Sequence, residues 1–169
     1  MIVLRGPKRS VDPLSGGFLR TACHEITVII KEKTMGKLEE AREIFAKDLY
    51  ATKLSGAVIE EVGENYSKCS MVLRDEHRNA YGGIMGGCIY TLADFAFAVA
   101  SNFDKKKLTV SLTGQASFLS MSRGSVLYAE TRLIKDGRTN CFYEVMITDD
   151  LGKDIAQVNF TGAHIDREM

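Results

Sequence analysis

Hydrophobic and polar positions change rhythm several times along the chain, and each change marks an element. After Met35 the text reads GKLEEAREIFAKDLYATKLSG, with Leu38, Ala41, Ile44, Phe45 and Leu49 at helical spacing, acids early and Gly56 closing the run. This predicts an amphipathic helix from Lys37 to Lys53. Two short strand-like segments follow, AVIEEV and SKCSMVL, parted by a Gly-Glu-Asn turn. A second helix is predicted from Gly86 to Asn102; between Ile89 and Val99 it is apolar around most of the wheel, as a helix buried on every side would be. Four longer segments then alternate polar and apolar positions: LTVSLTGQASFLS, SVLYAETRLIK, TNCFYEVMITD and DIAQVNFTGAHI. Such alternation predicts an antiparallel sheet with one covered face, its middle pair joined by a type I′ hairpin at Asp136-Gly137.

The first 34 residues lack this order. Both prolines, Pro7 and Pro13, lie there with the loop-like SGG at Ser15 to Gly17, so a boundary is expected at Met35, dividing an extension (1–34) from one domain (35–169). Met35 is also a candidate native start, because the preceding Lys-Glu can be written as a purine-rich ribosome-binding tract; a partner-binding arm is the alternative.

Composition narrows the function classes. Lys+Arg and Asp+Glu are equal at 22 each, which leaves no overall basic field to draw the protein to nucleic acid or an anionic membrane. The four cysteines are scattered without the close pairs of metal or redox motifs, and no run reaches the roughly 18 apolar residues of a membrane span. A cytoplasmic protein is expected. The histidines do not cluster, and His24, His77 and His164 are all expected at the surface.

One stripe of the second helix is not apolar. Gly87, Tyr90, Thr91, Asp94, Ala98 and Ser101 share a face, with Asp94 its single acid. A buried carboxylate is costly unless paired, and burial raises its pKa toward values useful in proton transfer or nucleophilic attack. The alternative is a structural acid satisfied by hydroxyls such as Thr91 or by backbone N–H groups. Just before it, GGIMGG places glycines at a helix start, where backbone N–H groups without intrahelical partners can form an oxyanion hole. Asp94 lies eight residues beyond Gly86, or ~12 Å along one helix at ~1.5 Å per residue, too far for both to meet one carbonyl. If both act together, Asp94 of one chain meets Gly86 of another, so catalysis would require a dimer.

The stretch NAYGGIMGGCIYTLADFAFAVASN resembles the signature of the PaaI-type hotdog-fold acyl-CoA thioesterases, approximately N-x-x-G-x-x-H-G-G-x-x-x-x-L-x-D-x-A. The likeness in element order runs from about Lys37 to Ile165. It implies an α+β hotdog fold, an antiparallel sheet wrapped around a long central helix, assembled as a homodimer or homotetramer. The implied activity is hydrolysis of acyl-CoA with no metal or redox cofactor, CoA being part of the substrate. On matching positions, Gly86 would donate its N–H to the thioester oxygen, and Asp94 of the other chain would act as general base or nucleophile. Asn79 would help position water or carboxylate, unless it only makes a local turn. Gly87 would line the substrate site. Ser111 is the nearest match to a small hydroxyl residue on the strand after the helix, with Thr109 or Thr113 selected by a register slip. Gly137 and Arg138 fall in a loop, KDGRT, resembling the one near the CoA phosphates; solvated hairpin charges are the alternative.

Met85 departs from this pattern, standing where the family usually has His. A thioether cannot donate a hydrogen bond, so a non-catalytic acyl-CoA-binding protein of the same fold is the rival reading. A hotdog hydratase would be expected to carry a catalytic His and proline-flanked loop absent here. Cys88 is expected as a small core residue.

Overall fold

The computed structural model describes residues 36–166. The predicted extension, with His24 and the candidate start Met35, lies outside the described residues.

The first helix is shorter than its periodicity predicts. Helix α1 (36–45) stops at a turn, and the chain then re-enters a single π-helical segment, Tyr50–Leu54. Local polar groups explain the break. The Asp48 side chain accepts from the Ala51 N–H at 3.3 Å, the Thr52 hydroxyl donates to the Asp48 carbonyl at 2.8 Å, and the Ser55 N–H reaches the Tyr50 carbonyl at 2.9 Å. Such side-chain bonds offer the backbone an alternative to a continuing α-helix. Only Ala51 of the π-helical segment is buried, leaving Tyr50 and Leu54 facing outward.

Strands β1 (Ala57–Gly63) and β2 (Tyr66–Val72) are joined at Glu64 and Asn65, the latter with φ 55°. Helix α2 runs Gly86–Asn102, as the pattern predicts, and is followed by β3 (Leu108–Phe118), β4 (Val126–Asp136), β5 (Asn140–Asp149) and β6 (Asp154–Ile165). All pairings are antiparallel, in the order β1-β2-β4-β5-β6-β3. This is the α+β hotdog architecture: one sheet wrapped around one helix.

The alternating apolar residues of the strands are the reason the sheet curls around α2. Leu127 and Ala129 of β4, Val145 and Ile147 of β5 and Val158 and Phe160 of β6 are buried with Leu92, Ala96 and Val99 of α2. Phe97 stacks on Phe160 with centroids 4.8 Å apart and meets Tyr143 edge-on at 5.5 Å. Asn102 fastens the helix end to β3, its Oδ1 accepting from the Thr109 N–H at 2.7 Å and its Nδ2 donating to the Thr109 carbonyl at 3.0 Å.

One local expectation is corrected and one irregularity is added. The β4–β5 connection is a three-residue loop, Gly137 to Thr139, and Gly137 lacks the positive φ of a type I′ turn; its N–H donates to the Asn140 carbonyl at 2.9 Å instead. β3 carries a bulge between Ser111 and Thr113, with Leu112 unpaired in the register to β6.

Candidate active site

The loop before α2 is a closed miniature hairpin that aims the helix N-terminus. The Met85 N–H donates to the His77 carbonyl at 2.9 Å, Arg78 bridges Ile84, and the Asn79 N–H donates to the Gly83 carbonyl at 2.8 Å. The Asn79 side chain holds the tip: its Oδ1 accepts from the N–H groups of Tyr81 at 2.9 Å and Gly83 at 3.1 Å. In this chain Asn79 thus makes the local turn. His77 is only 6% exposed, which corrects the surface expectation. Its Nδ1 accepts from the Arg74 N–H at 3.1 Å, while the Arg74 guanidinium lies 3.3 Å from Nε2. Burial and then the Arg74 charge hold its pKa below the ordinary histidine value, so the ring is a neutral brace for the loop.

Met85 is the N-cap of α2, in an extended conformation, with its side chain 57% exposed. Gly86 and Gly87 follow as the first helical residues, and among the described residues their N–H groups meet no acceptor. Gly86 has a packing reason as well. A Cβ there would stand 2.9 Å from Cζ of Phe118, so glycine lets the end of β3 close over the helix start while the N–H stays available.

Asp94 is half-buried, two turns further on, in the one stripe of α2 that the sheet leaves partly open. Of that stripe only Ser101 is buried. Among the described residues no donor reaches the Asp94 carboxylate. Thr91, the sequence-level candidate, gives its hydroxyl to the Gly87 carbonyl at 2.9 Å instead. Burial, and secondarily the charge of Asp48, hold the Asp94 pKa above the ordinary aspartate value. The Asp94 charge also helps burial to raise the pKa of the Tyr90 phenol.

The β3 register separates the three hydroxyl candidates. Thr109 is buried and occupied, its Oγ1 lying 3.2 Å from the Ser101 carbonyl and 3.0 Å from His164 Nδ1. Ser111 pairs with Gly162, whose missing Cβ would meet Phe97, so it shares the helix-facing side yet is exposed. The bulge then shifts the alternation. Gly114 comes to face α2, with the Tyr90 hydroxyl filling the place of its side chain, and Thr113 turns outward. Ser111 therefore lies beside the part of α2 between Tyr90 and Ser101, which contains Asp94.

Two recesses sit at opposite ends of α2. At the N-terminal end a cavity of about 510 Å³ is lined by Met85, Gly87, Cys88 and Thr91, by Tyr50 and Leu54 of the π-helical segment, and by Arg74 and His77. Cys88 is half-buried rather than a core residue: its Sγ contacts Met71 Sδ at 3.3 Å, and burial raises its thiol pKa. At the C-terminal end a recess of about 240 Å³ brings Gly137 and Arg138 together with Lys105, Lys106 and Lys107, Tyr143 and His164. Asn65 Oδ1 there accepts from the Lys105 ammonium at 2.5 Å, and His164 Nε2 lies 2.9 Å from Asp136 Oδ1. His164 is thus a partly buried member of a cluster, again unlike the surface expectation. The run Lys105 to Lys107 was legible as charge; its meeting with Arg138 was not, because 30 residues and two strands separate them.

The model of the thioesterase superfamily matches residues 81–156, spanning the glycine loop, α2 and most of the sheet. A protein of Archaeoglobus fulgidus named "Putative esterase" is 30% identical over 133 residues, 78% of this chain and 86% of its own length. Among solved structures, the Escherichia coli PaaI protein of the phenylacetic acid degradation operon has a TM-score of 0.70 at 21% identity, over 78% of this chain and 96% of that one. A hypothetical thioesterase protein of Streptococcus pneumoniae, solved with coenzyme A, has a TM-score of 0.65 at 22% identity, over 73% and 98% of the two chains. The chain belongs to the thioesterase superfamily, its fold is the hotdog fold of these solved structures, and its general chemistry is thioester hydrolysis. No helix among the described residues is long and apolar enough to cross a membrane.

Proposed function

We propose that this protein hydrolyses acyl-CoA thioesters at a site shared between two chains. The Gly86 N–H, at the positive end of α2, donates to the thioester oxygen and stabilises the charge that develops there. Asp94 of the partner faces the carbonyl carbon. As general base it takes a proton from water while the water oxygen bonds to the carbonyl carbon; the C–S bond then breaks and the proton leaves with the CoA thiolate. As nucleophile it would form an anhydride that water opens, reaching the same products. Asn79 holds the loop that aims Gly86, with Gly87 beside the oxygen and Ser111 beside the carboxylate. The reaction needs no cofactor, since water is the co-substrate and CoA is part of the substrate.

The carrying observation is a pair of N–H groups without an acceptor and a half-buried carboxylate without a donor among the described residues, on one helix and too far apart to serve one carbonyl within a chain. The dimer reading is supported by β3, an edge strand among the described residues, exposing Val110 and Leu112. For CoA itself, the basic recess is a fitting phosphate site. Asp94 and Ser101 are seven residues apart, ~10 Å along α2, so the recess of the chain supplying Asp94 is within reach of an extended pantetheine arm. A second reading, acyl-CoA binding without turnover, is favoured by Met85, which removes a side-chain donor from the helix start.

Subunit complementation tests the shared site. Asp94→Asn removes the carboxylate. Gly86→Pro removes the N–H at a position where proline suits a helix, and Phe118→Ala makes room for its ring. Each variant alone is expected to be inactive. Statistically mixed dimers should recover about a quarter of the parental rate, because half are heterodimers with one intact site each. A site contained in one chain would recover nothing. A wild type that binds acyl-CoA but never releases CoA would establish the second reading.

A further inference from the structure

The recess proposed for the CoA phosphates contains an acid. Asp136 is the single carboxylate among the described residues that line it, at the end of β4 and two residues before Arg138. A free carboxylate there would repel a phosphate and compete with it for the guanidinium. Lys105 is already engaged with Asn65, and Lys107 with Asp166 at 3.4 Å. The recess therefore depends on Lys106 and Arg138, which meet no acceptor among the described residues.

The Asp136 carboxylate is turned to His164 instead, whose Nε2 lies 2.9 Å from its Oδ1. The ring is fixed on its other side by Thr109, a buried residue that pairs with His164 across β3 and β6 and places Oγ1 3.0 Å from Nδ1. A hydroxyl donates to a bare ring nitrogen and accepts from a protonated one. Thr109 thus serves Nδ1 in either charge state and leaves an Nε2 proton for Asp136. The His164 backbone grips the far end of the same loop, its N–H donating to the Thr139 carbonyl at 2.8 Å. One residue of β6 holds both ends of the segment that carries Gly137 and Arg138. The His164 side chain is 14% exposed and that of Asp136 39%, so packing fixes the ring and the ring in turn directs the carboxylate at the rim.

We propose that His164 is a positioning residue for the phosphate end of CoA: its side chain holds the Asp136 carboxylate away from Arg138 and so leaves the guanidinium free for phosphate. It touches neither the phosphates nor the thioester, and acts through Asp136. This inference rests on the reading of the recess as the CoA phosphate site.

The test is a rescue. KM and kcat for an acyl-CoA, and the calorimetric Kd for CoA itself, are measured with the full-length wild type, His164→Phe, Asp136→Asn and the double variant. His164→Phe keeps a planar ring and the backbone N–H but removes the donor to Asp136. It is expected to raise KM and Kd about three- to tenfold, with kcat within about twofold of the wild type. Asp136→Asn alone should leave both no higher than in the wild type. In the double variant it should bring them back to within about twofold, because no carboxylate is left to capture Arg138. A double variant as weak as His164→Phe would assign the ring a merely structural role and overturn the inference, as would a His164→Phe protein that binds CoA like the wild type. Where the phenyl ring prevents folding, two amides decide: His164→Gln, long enough to reach Asp136, should keep KM and Kd within about twofold, and His164→Asn, which stops at Thr109, should raise them like His164→Phe. No difference between the two amides would overturn the inference. Arg138→Ala separates this failure from that of the site: if it leaves the Kd for CoA unchanged, the phosphate reading of the recess falls first and the inference with it. If the wild type binds CoA but turns over no acyl-CoA, the thioesterase reading fails by itself, and the Kd comparisons still decide the role of His164.

Discussion

The two ends of α2 are built from different materials. At its N-terminus the polar groups on offer are backbone: two glycines whose N–H groups meet no acceptor among the described residues, held by a loop whose side chains, Asn79 and His77, are occupied in turns and braces. At its C-terminus side chains predominate, with three lysines and Arg138 converging from different elements. Backbone donors are rigid and cannot be lost by a rotamer change, which suits a developing oxyanion. Long cationic side chains tolerate slack, which suits phosphates at the end of a flexible arm. In the proposed reaction this difference would separate rate from affinity along a single helix.

Breaking the N-terminal, chemical half should have the largest effect. Asp94→Asn is expected to reduce kcat about 10²- to 10⁴-fold with the dimer intact by size-exclusion chromatography. The same substitution should raise the thermal midpoint at neutral pH. The folded-state pKa of Asp94 is raised, so the stability linked to its protonated form is full below the unfolded-state value and is lost as pH rises through the folded-state value. The gain from Asp94→Asn should accordingly fade when melts are repeated below the ordinary aspartate range.

Gly86→Ala keeps the N–H but brings a methyl group against the ring of Phe118, whose half-exposed side chain can give way, so denaturant melts should show a loss of about 1 kcal/mol or less. Phe118→Leu should recover part of it; a fully additive pair would mean that the ring is not what the methyl meets.

Sharpening the affinity half requires a different readout. Lys106→Ala with Arg138→Ala should raise KM for an acyl-CoA about tenfold, roughly 1.4 kcal/mol, while kcat stays within about twofold. The same double variant should handle a short pantetheine thioester lacking the nucleotide like the wild type, and a parallel loss on that substrate would remove the phosphate role. The smallest effect is expected at Asp48, whose charge adds to burial in raising the Asp94 pKa. Asp48→Asn should move the acid limb of the kcat/KM profile to lower pH; an unmoved limb would leave burial as the whole cause.

How much of this was legible depended on the range of the interactions. The bounds of α2, from Gly86 to Asn102, and the four alternating strands followed from local periodicity and glycine chemistry. The α1 pattern misled, because hydrophobic spacing alone does not register the bonds that Asp48 and Thr52 make to nearby backbone. His77 looked solvent-facing for a similar reason: burial in a loop depends on what folds over it.

Asp94 as an isolated acid and Gly86 as a backbone donor were written in the order of residues, since helix spacing and the missing intrahelical partners of a first turn are properties of a few neighbours. The tertiary structure alone decided that Ser111 rather than Thr113 faces the helix, that Phe118 closes over Gly86, and that Lys106 lines one recess with Arg138. Each depends on a bulge, a strand register or a loop crossing that joins residues far apart in the chain, and no local pattern carries the position of its distant partner.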